Sequence, residues 1–294
     1  MQDFFELIVS ATASGCVYSL VALAYLLIVR PTGVINFAIG EWAAVGAFAA
    51  YVAMGKFELP YPLALLAIAV FMFLVGWACE KFVVRPLIER SAPPLASVLV
   101  LLGMLVVFRE LLSLIFGPDP YGVPAGVGFG RFELGPFGGS YQSLLVIGTT
   151  LVVFIAAWAF FERSLMGKTF SAVAIDRRAA ALMGINLRRV TSMSFAGGAV
   201  VAGLAGLLSA PTTSAHYLMG LPLAIQGFTA LVIGGANRVS GAFLGGLILA
   251  FVEQLTVRYA PIPAGLSMGV PLVVLIAFLL VKPEGLMGAR REKA

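Results

Sequence analysis

Long apolar runs alternate with short polar breaks along almost the whole chain. The runs stay continuous over about 20 residues, which is the length of a helix that crosses a hydrocarbon core. They lack the alternation at every second residue that is typical of a membrane β-barrel. The pattern predicts an all-α, polytopic transmembrane helical bundle of about eight or nine membrane segments, some of them broken or re-entrant.

The predicted spans follow one another with little chain between them. They cover Leu7–Val29, Asn36–Met54, Tyr61–Cys79, Leu95–Phe116, Gln142–Phe161, Val190–Ala210, Gly241–Val257 and Ala264–Val281. The interrupted region Leu221–Ser240 fits either a full span or a re-entrant element. A Gly/Pro-rich loop is expected over Gly117–Tyr141.

The composition agrees with this pattern. The 294 residues are 61% hydrophobic and only 11% charged, whereas a soluble domain carries about 25% charged residues. We expect a single transmembrane domain over residues 1–294. Cys16 and Cys79 lie in apolar runs, which favours packing over a disulfide.

The chain shows no pattern typical of an enzyme or of a cofactor site. Gly167-Lys168-Thr169 resembles the end of a phosphate-binding loop, but Glu162 stands where that loop requires glycine. No nucleophile lies beside a base, and the single histidine makes no metal site. We therefore expect a non-enzyme without cofactor or metal.

The basic residues predict an orientation. If the N-terminus lies outside and the spans alternate, 15 cations lie inside, 3 outside and Arg109 within a span. The inside set is Arg30, Lys81, Arg85, Arg90, Arg163, Lys168, Arg177, Arg178, Arg188, Arg189, Arg238, Lys282, Arg290, Arg291 and Lys293. The outside set is Lys56, Arg131 and Arg258. Cations concentrate on the cytoplasmic side of membrane proteins, so the net charge of +5 indicates a membrane and not a nucleic acid.

The longest polar interval, about 163–189, lies midway along the chain and holds six of these cations. Within it, Ser171–Met183 has a helix-forming composition, with apolar residues at helical spacing. We expect one short amphipathic helix that docks on a partner protein. A helix that lies on the membrane surface is the alternative.

Two interrupted stretches are candidates for the lining of a solute path. In Gly33–Phe48 a Pro-x-Gly break precedes a helix that starts near Asn36 and carries Glu41 one turn later. The second stretch, 234–246, contains Gly234, Gly235 and Asn237. Broken segments in both halves of a chain often flank a transport route. A simply capped helix with Glu41 near the membrane surface is the alternative for the first stretch.

Three charges fall inside predicted spans, namely Arg109, Glu110 and Glu253. Charges there are costly, so we expect them to be buried and either paired or facing the path. Adjacent residues on a helix point about 100° apart, so Arg109 and Glu110 cannot face one partner. The small residues Gly198, Ala202, Gly203 and Gly206 and the Gly241-x-x-x-Gly245 spacing predict close helix packing.

Four stretches resemble the permease subunits of branched-chain amino acid ABC importers. They are GVINFAIGEW, GKTFSAVAIDRRAAALMGINLRRV, GFTALVIGGANRVSGAFLGG and the ending KPEGLMG. The resemblance spans nearly the whole chain in order and is closer to the H-type permease than to the longer M-type. Arg178-Ala179-Ala180-x-x-x-Gly184 is similar to the bacterial permease signature Glu-Ala-Ala-x-x-x-Gly, with Arg178 in place of the glutamate.

The resemblance implies a function and a set of partners. The chain would be a permease in a bacterial inner membrane, with its N-terminus outside and its C-terminus in the cytoplasm. It would translocate branched-chain or other hydrophobic amino acids that a periplasmic binding protein delivers. Two cytoplasmic ABC ATPases would drive it, and a second, paralogous permease would complete the pore within the membrane lipid.

The segment 163–189 would then contact the ATPases. The residues implied in this coupling are Ala172, Asp176, Arg177, Arg178, Ala179, Ala180 and Gly184. Similar systems carry urea, short amides or aromatic acids, so these solutes stay open. A self-sufficient channel or ion-coupled secondary transporter that uses the intramembrane charges is the alternative of a different class.

Overall fold

The computed structural model describes residues 2–89, 93–128, 130–134, 137–259, 269–282 and 285–287. Its helices are α1 (Gln2–Thr32), α2 (Ile39–Ala50), α3 (Tyr61–Cys79), α4 (Arg85–Glu89), α5 (Pro94–Phe116), α6 (Tyr141–Arg163), α7 (Leu165–Ile175), α8 (Arg177–Leu182), α9 (Leu187–Thr213), α10 (Gly220–Gly234), α11 (Val239–Tyr259) and α12 (Val270–Val281). Two π-helical stretches, Tyr51–Lys56 and Glu80–Val84, extend α2 and join α3 to α4.

The helical bundle predicted from the apolar runs is confirmed. In the described ranges six helices are long and apolar enough to cross a membrane, and α10 and α12 are shorter apolar helices. The chain is therefore a multi-pass membrane protein. The predicted start of the last span at Ala264 lies outside the described residues, as do Arg90, Arg290, Arg291 and Lys293.

One predicted loop is more ordered than expected. Within Gly117–Tyr141, strands β1 (Arg131–Leu134) and β2 (Phe137–Ser140) form an antiparallel hairpin. Arg131 Nη2 lies 2.6 Å from Glu6 Oε1, which ties the hairpin to the start of α1. The same loop is also joined to the chain that follows α9, because the backbones of Tyr121 and Ala215 pair.

Helices α1 and α9 form the centre of the bundle. In the most apolar window of each helix, 72% of the residues are buried in α1 and 83% in α9. The corresponding fractions are 28% in α3 and 22% in both α5 and α6. The central pair is covered by protein on most sides, whereas the outer helices present long apolar faces. Such faces suit lipid or a second membrane subunit.

Small residues let the central helices touch through their backbones. A side chain at Gly46 would overlap the backbone of Gly203, and one at Gly206 would overlap Ala43. Gly245 packs in the same way against Ala230. The predicted close packing of these glycines is confirmed, and it draws α2, α9, α10 and α11 together.

The bundle has two distinct ends. The hairpin end carries the β-hairpin, the start of α1 and the end of α9, and Lys56, Arg131 and Arg258 belong to it. The α7–α8 end carries the end of α1, the start of α9 and the turn between α10 and α11. The described cations of the predicted inside set occur at helix ends that meet there.

Helix α10 is a short apolar helix between the chain that follows α9 and the turn before α11. Its start follows the Tyr121–Ala215 pair at the hairpin end, and its last residues accept backbone hydrogen bonds from Leu286 and Met287 at the α7–α8 end. The 15 residues of α10 span about 22 Å at 1.5 Å per residue. The region predicted as either a full span or a re-entrant element is thus a helix shorter than the roughly 30 Å of a hydrocarbon core, followed by a turn.

Candidate functional site

The segment 163–189 folds as two short helices at the α7–α8 end. Ser164 caps α7 by accepting a hydrogen bond from the Gly167 amide at 2.9 Å. Gly167 packs directly on the α6 backbone at Phe160, where a side chain would overlap the carbonyl. Phe170, which is 2% exposed, contacts the rings of Phe160 and Phe161. Helix α7 is therefore packed closely on the end of α6.

The single helix predicted over Ser171–Met183 is wrong, because Asp176 divides it. Asp176 has extended backbone angles, and its Oδ1 accepts hydrogen bonds from the amides of Arg178 at 2.8 Å and Ala179 at 3.0 Å. A side chain that bonds nearby amides competes with helix continuation and starts a new helix instead. The bonds from Ala179 and Arg178 also lower the pKa of Asp176, so the cap is ionised near neutral pH.

The residues expected to contact an ATPase lie on both faces of this pair of helices. Asp176, Arg178, Ala179 and Gly184 are exposed, Ala172 and Arg177 are half-buried, and Ala180 is buried against the body. Three large apolar side chains project beside them, which we call the apolar tips: Ile175 (88% exposed), Leu182 (89%) and Met183 (84%). Exposed apolar side chains that lie together mark an interaction surface.

A groove opens at the hairpin end between α1, α6, α9, α10 and α11, and we call it the hairpin groove. It comprises two cavities of about 410 Å³ and 740 Å³, within the usual size range of ligand sites, roughly 300–1,000 Å³. Ser10, Tyr18, Ser143 and Thr212 line both cavities.

One side of the groove is polar and the other apolar. Gln226 Nε2 donates to the Tyr18 hydroxyl at 2.9 Å and to Glu253 Oε1 at 3.3 Å. Glu253 Oε2 has no hydrogen-bond partner among the described residues. The apolar lining includes Val146, Leu208, Met219 and Leu223. The groove thus combines a carboxylate with hydrocarbon walls.

The break before α2 is buried inside the bundle. Asn36 is fully buried, and its Oδ1 accepts a hydrogen bond from the Ala38 amide at 3.0 Å, just before α2 begins at Ile39. Phe37 packs against Tyr25 and Phe228. Such an irregular stretch is tolerated in a membrane protein where other protein surrounds it.

Glu41 is enclosed by protein at the start of two helices. It lies in the first turn of α2 and is 1% exposed. Its carboxylate occupies the space beside Gly220, the first residue of α10. Both helix N-termini favour a negative charge there. Neither Asn36 nor Glu41 lines one of the described cavities, so their place in a path stays a prediction.

The second interrupted stretch surrounds the turn between α10 and α11. Gly234 and Gly235 are buried, with Gly234 packed on Gly241. Asn237 is exposed and lines a cavity of about 1,020 Å³ at the α7–α8 end. That cavity is separate from the hairpin groove, because buried Thr150 and the Phe154–Phe243 ring contact lie between them on α6 and α11.

The three intramembrane charges occupy different surroundings. Glu253 is half-buried in the hairpin groove and Arg109 is half-buried on α5. Glu110 was expected to be buried, but it is exposed on α5 within the single chain. The physical reason is the rotation between adjacent helical residues, which turns Glu110 away from the bundle.

A buried carboxylate that the sequence pattern did not reveal lies beside the start of α9. Glu80, 2% exposed, pairs with Arg85 Nη2 at 2.7 Å and accepts a hydrogen bond from Ser192 Oγ at 2.5 Å. The π-helical stretch makes the pairing possible, because the Arg85 amide bonds to the Glu80 carbonyl five residues earlier. This cluster fixes α9 to α3 next to the two short helices.

Comparison with known proteins supports the family resemblance along the full chain. A sequence model of the family "Branched-chain amino acid transport system / permease component" matches residues 7–279. The LivH high-affinity branched-chain amino acid permease of Escherichia coli K12 is 27% identical, with 97% of this chain and 96% of LivH covered. BraD of Pseudomonas aeruginosa, of the same description, is also 27% identical over 98% of this chain and 97% of BraD.

More distant similarities include a sugar permease and one solved structure. The ribose import permease RbsC of Haemophilus influenzae is 25% identical over 86% of this chain and 78% of RbsC. Among solved structures, PsaBC from Streptococcus pneumoniae in complex with Fab aligns with a TM-score of 0.50 at 10% identity, covering 93% of this chain and 91% of that one. The latter similarity concerns the fold alone.

Proposed function

The chain belongs to the family of branched-chain amino acid transport system permeases, and on that premise we propose that it is the membrane subunit of an ATP-driven amino acid importer. The observation that carries the proposal is the pair of helices α7 and α8. Both helices are capped, α7 is seated on α6, and the apolar tips are exposed. A partner that fills this surface can push on α6 and α9, which are the helices that continue into the bundle.

The proposed partners each correspond to a surface. Two cytoplasmic ABC ATPases dock on Ala179, Arg178 and the apolar tips. A second, paralogous permease packs on exposed apolar faces of the outer helices. A periplasmic binding protein delivers solute at the hairpin end. ATP hydrolysis then belongs to the partners, and this chain itself is no enzyme.

The proposed orientation follows from the two ends of the bundle. The α7–α8 end carries most of the described cations and faces the cytoplasm, and the hairpin end faces the outside. The chain then lies in a bacterial inner membrane with its N-terminus outside and its C-terminus in the cytoplasm. The ATPases meet the α7–α8 end and the binding protein meets the hairpin end.

The hairpin groove supports an amino acid as the solute. The Glu253 carboxylate, beside Tyr18 and Gln226, suits an ammonium group, because charge-assisted hydrogen bonds are the strongest in proteins. The apolar walls suit a branched or other hydrophobic side chain. Urea and short amides carry no ammonium group, so the groove favours them less.

An ion-coupled transporter is the second candidate function. The observation that favours it is Glu41, a fully buried carboxylate without a hydrogen-bond partner among the described residues. In that case the chain alone would carry solute along an ion gradient, and Glu41→Gln would uncouple it. The seated helices α7 and α8 would then have no partner, which is why the importer is the better-supported function.

Reconstitution of the chain with its co-purifying partners tests the proposal. Liposomes that contain the assembly, ATP and the binding protein should accumulate leucine, isoleucine or valine, and the chain alone should not. Preferential uptake of urea, short amides or aromatic acids over these amino acids would change the proposed solute but support the importer function. Gradient-driven uptake by the chain alone, without ATP, would refute the importer.

A further inference from the structure

The cavity at the α7–α8 end has a basic part and an apolar part, and we call it the basic cavity. It has a volume of about 1,020 Å³ and lies between the end of α1, the α6–α7 junction and the α10–α11 turn. Arg30, Lys168 and Arg238 line the basic part, and Leu151, Ile155 and Trp158 line the apolar part. One carboxylate, Glu162, is among its lining residues.

Two of the three cations that line this cavity are not neutralised by the described part of the chain. Neither the Lys168 ammonium nor the Arg238 guanidinium makes a hydrogen bond or ion pair to a described residue. Arg30 stacks on the Phe161 ring at 5.2 Å and lies in the field of Glu162. The lining therefore carries an excess of two positive charges, together with the hydroxyls of Ser171 and Ser240. This combination suits a phosphate, whose oxygens accept hydrogen bonds from guanidinium, ammonium and hydroxyl groups.

The apolar part distinguishes a lipid from a soluble phosphate. Leu151, Ile155 and Trp158 follow one another at helical spacing along α6, and they are 43%, 62% and 50% exposed. They form a continuous apolar strip that leads from the cations toward the middle of α6. An acyl chain can lie along such a strip, whereas a free phosphate gains nothing from it.

We propose that the basic cavity binds an anionic phospholipid. Its phosphate contacts Arg30, Lys168 and Arg238, and one acyl chain lies on the α6 strip. Basic pockets between membrane helices are typical sites for anionic headgroups. The bound lipid joins α7 to the end of α1 and to the α10–α11 turn, and so stabilises the packing of α7 on α6. The site does not depend on which solute the importer carries.

Lipid exchange followed by native mass spectrometry tests the site. The assembly purified in mild detergent is incubated with phosphatidylglycerol, phosphatidylcholine or inorganic phosphate. We expect retention of phosphatidylglycerol in preference to phosphatidylcholine, and roughly fivefold weaker retention for each of Lys168→Gln and Arg238→Gln. Lys81→Gln is the matched control, because Lys81 lies beside Trp77 at the same end but outside the cavity. It should retain the lipid like the wild type.

Fluorescence quenching of the wild-type assembly provides a second measurement that does not depend on the folding of the Lys168 and Arg238 variants. Phosphatidylglycerol with brominated acyl chains should quench the wild-type assembly more than brominated phosphatidylcholine does. Trp158→Phe should remove most of that difference, since Trp158 lines the cavity, whereas Trp42 is fully buried and Trp77 is exposed but lies outside the cavity.

Three outcomes would overturn the proposal. Equal retention of phosphatidylcholine and phosphatidylglycerol would show that the cations do not select a headgroup. Retention of inorganic phosphate as strong as that of the lipid would show that the α6 strip contributes nothing. Loss of solute uptake in Lys168→Gln and Arg238→Gln without any change in lipid retention would assign the cavity to the solute path.

Discussion

The Asp176 carboxylate accepts a hydrogen bond from the Ala179 amide at 3.0 Å, and this bond begins the helix that carries Ala179. Asp176 is also the C-terminal cap of α7, so α7 ends there. Asp176 and its hydrogen bond to the Ala179 amide thus set the angle between α7 and α8. The exposed face that an ATPase would meet depends on that angle.

Removal of the Asp176 cap should loosen α8 and weaken coupling. Asp176→Ala removes the acceptor for the Ala179 and Arg178 amides. Asp176→Asn is the matched control, because asparagine caps helices about as well. We expect permease-stimulated ATPase activity to fall in the alanine variant and to stay near the wild-type value in the asparagine variant.

The pH dependence of this cap follows from the sign of its pKa shift. Because the pKa of Asp176 is lowered in the folded chain, the cap stabilises at every pH above the normal aspartate range. Its contribution is lost only as the pH falls through the lowered value. Coupling should therefore not change with pH near neutrality on account of Asp176, and hydrogen exchange at the α8 amides would measure this directly.

Gly184 should tolerate asparagine better than alanine. Its φ of +85° lies in the left-handed region, and an added Cβ would meet no atom within 4 Å. The whole effect of a substitution is therefore conformational. Gly184→Ala should lower the free energy of unfolding by about 1–2 kcal/mol, and Gly184→Asn by less, as judged from thermal unfolding. Equal losses would show that contacts and not φ matter at this position.

The Glu80 cluster should be more important for stability than the neighbouring surface pair. Glu80→Gln weakens the bonds to Arg85 and Ser192 inside the protein, and we expect a loss of about 2 kcal/mol. Glu89→Gln breaks an exposed pair with Arg188, at 3.0 Å, and should cost under about 1 kcal/mol. Thermal unfolding of both variants in the same detergent gives the comparison. A larger loss for Glu89→Gln would contradict this assignment.

Glu253 should affect the binding of the solute and not the basal activity of the assembly. In Glu253→Gln we expect the apparent KM for leucine to rise roughly tenfold, because a charge-assisted hydrogen bond becomes a neutral one. Basal ATPase activity of the assembly should not change. Glu58→Gln is the control, since Glu58 is exposed and outside the groove. An unchanged KM in reconstituted liposomes that do take up leucine would exclude Glu253 from solute contact but leave the importer intact.

The sequence predicts the architecture well because membrane spans are set by local composition. Apolar length alone places α1, α3 and α9, and the positions of the cations along the chain separate the two ends of the bundle. The glycine contacts were also predictable, since small residues at regular spacing within one span, as at Gly203 and Gly206, are typical of close helix packing.

The site was harder to predict because it depends on contacts between distant segments. Tyr18 and Gln226 lie 208 residues apart, and the available signal was a polar residue inside an apolar run. Glu80 and Arg85 were missed as a pair, since five residues do not bring side chains together on an α-helix and only the π-helical stretch does so. The division at Asp176 was visible in principle, because aspartate before a helical run is a capping signal.

Coupled ATPase activity of Ala179→Asp, compared with Ala179→Ser, tests the central claim most directly. Ala179 is exposed on α8 beside Arg178 and the apolar tips, so both variants should fold. If α7 and α8 receive the ATPase, the aspartate variant should lose stimulated ATPase activity and uptake while the serine variant retains them. Normal coupled uptake by Ala179→Asp, in an assembly that contains the ATPases, would contradict the proposed docking surface.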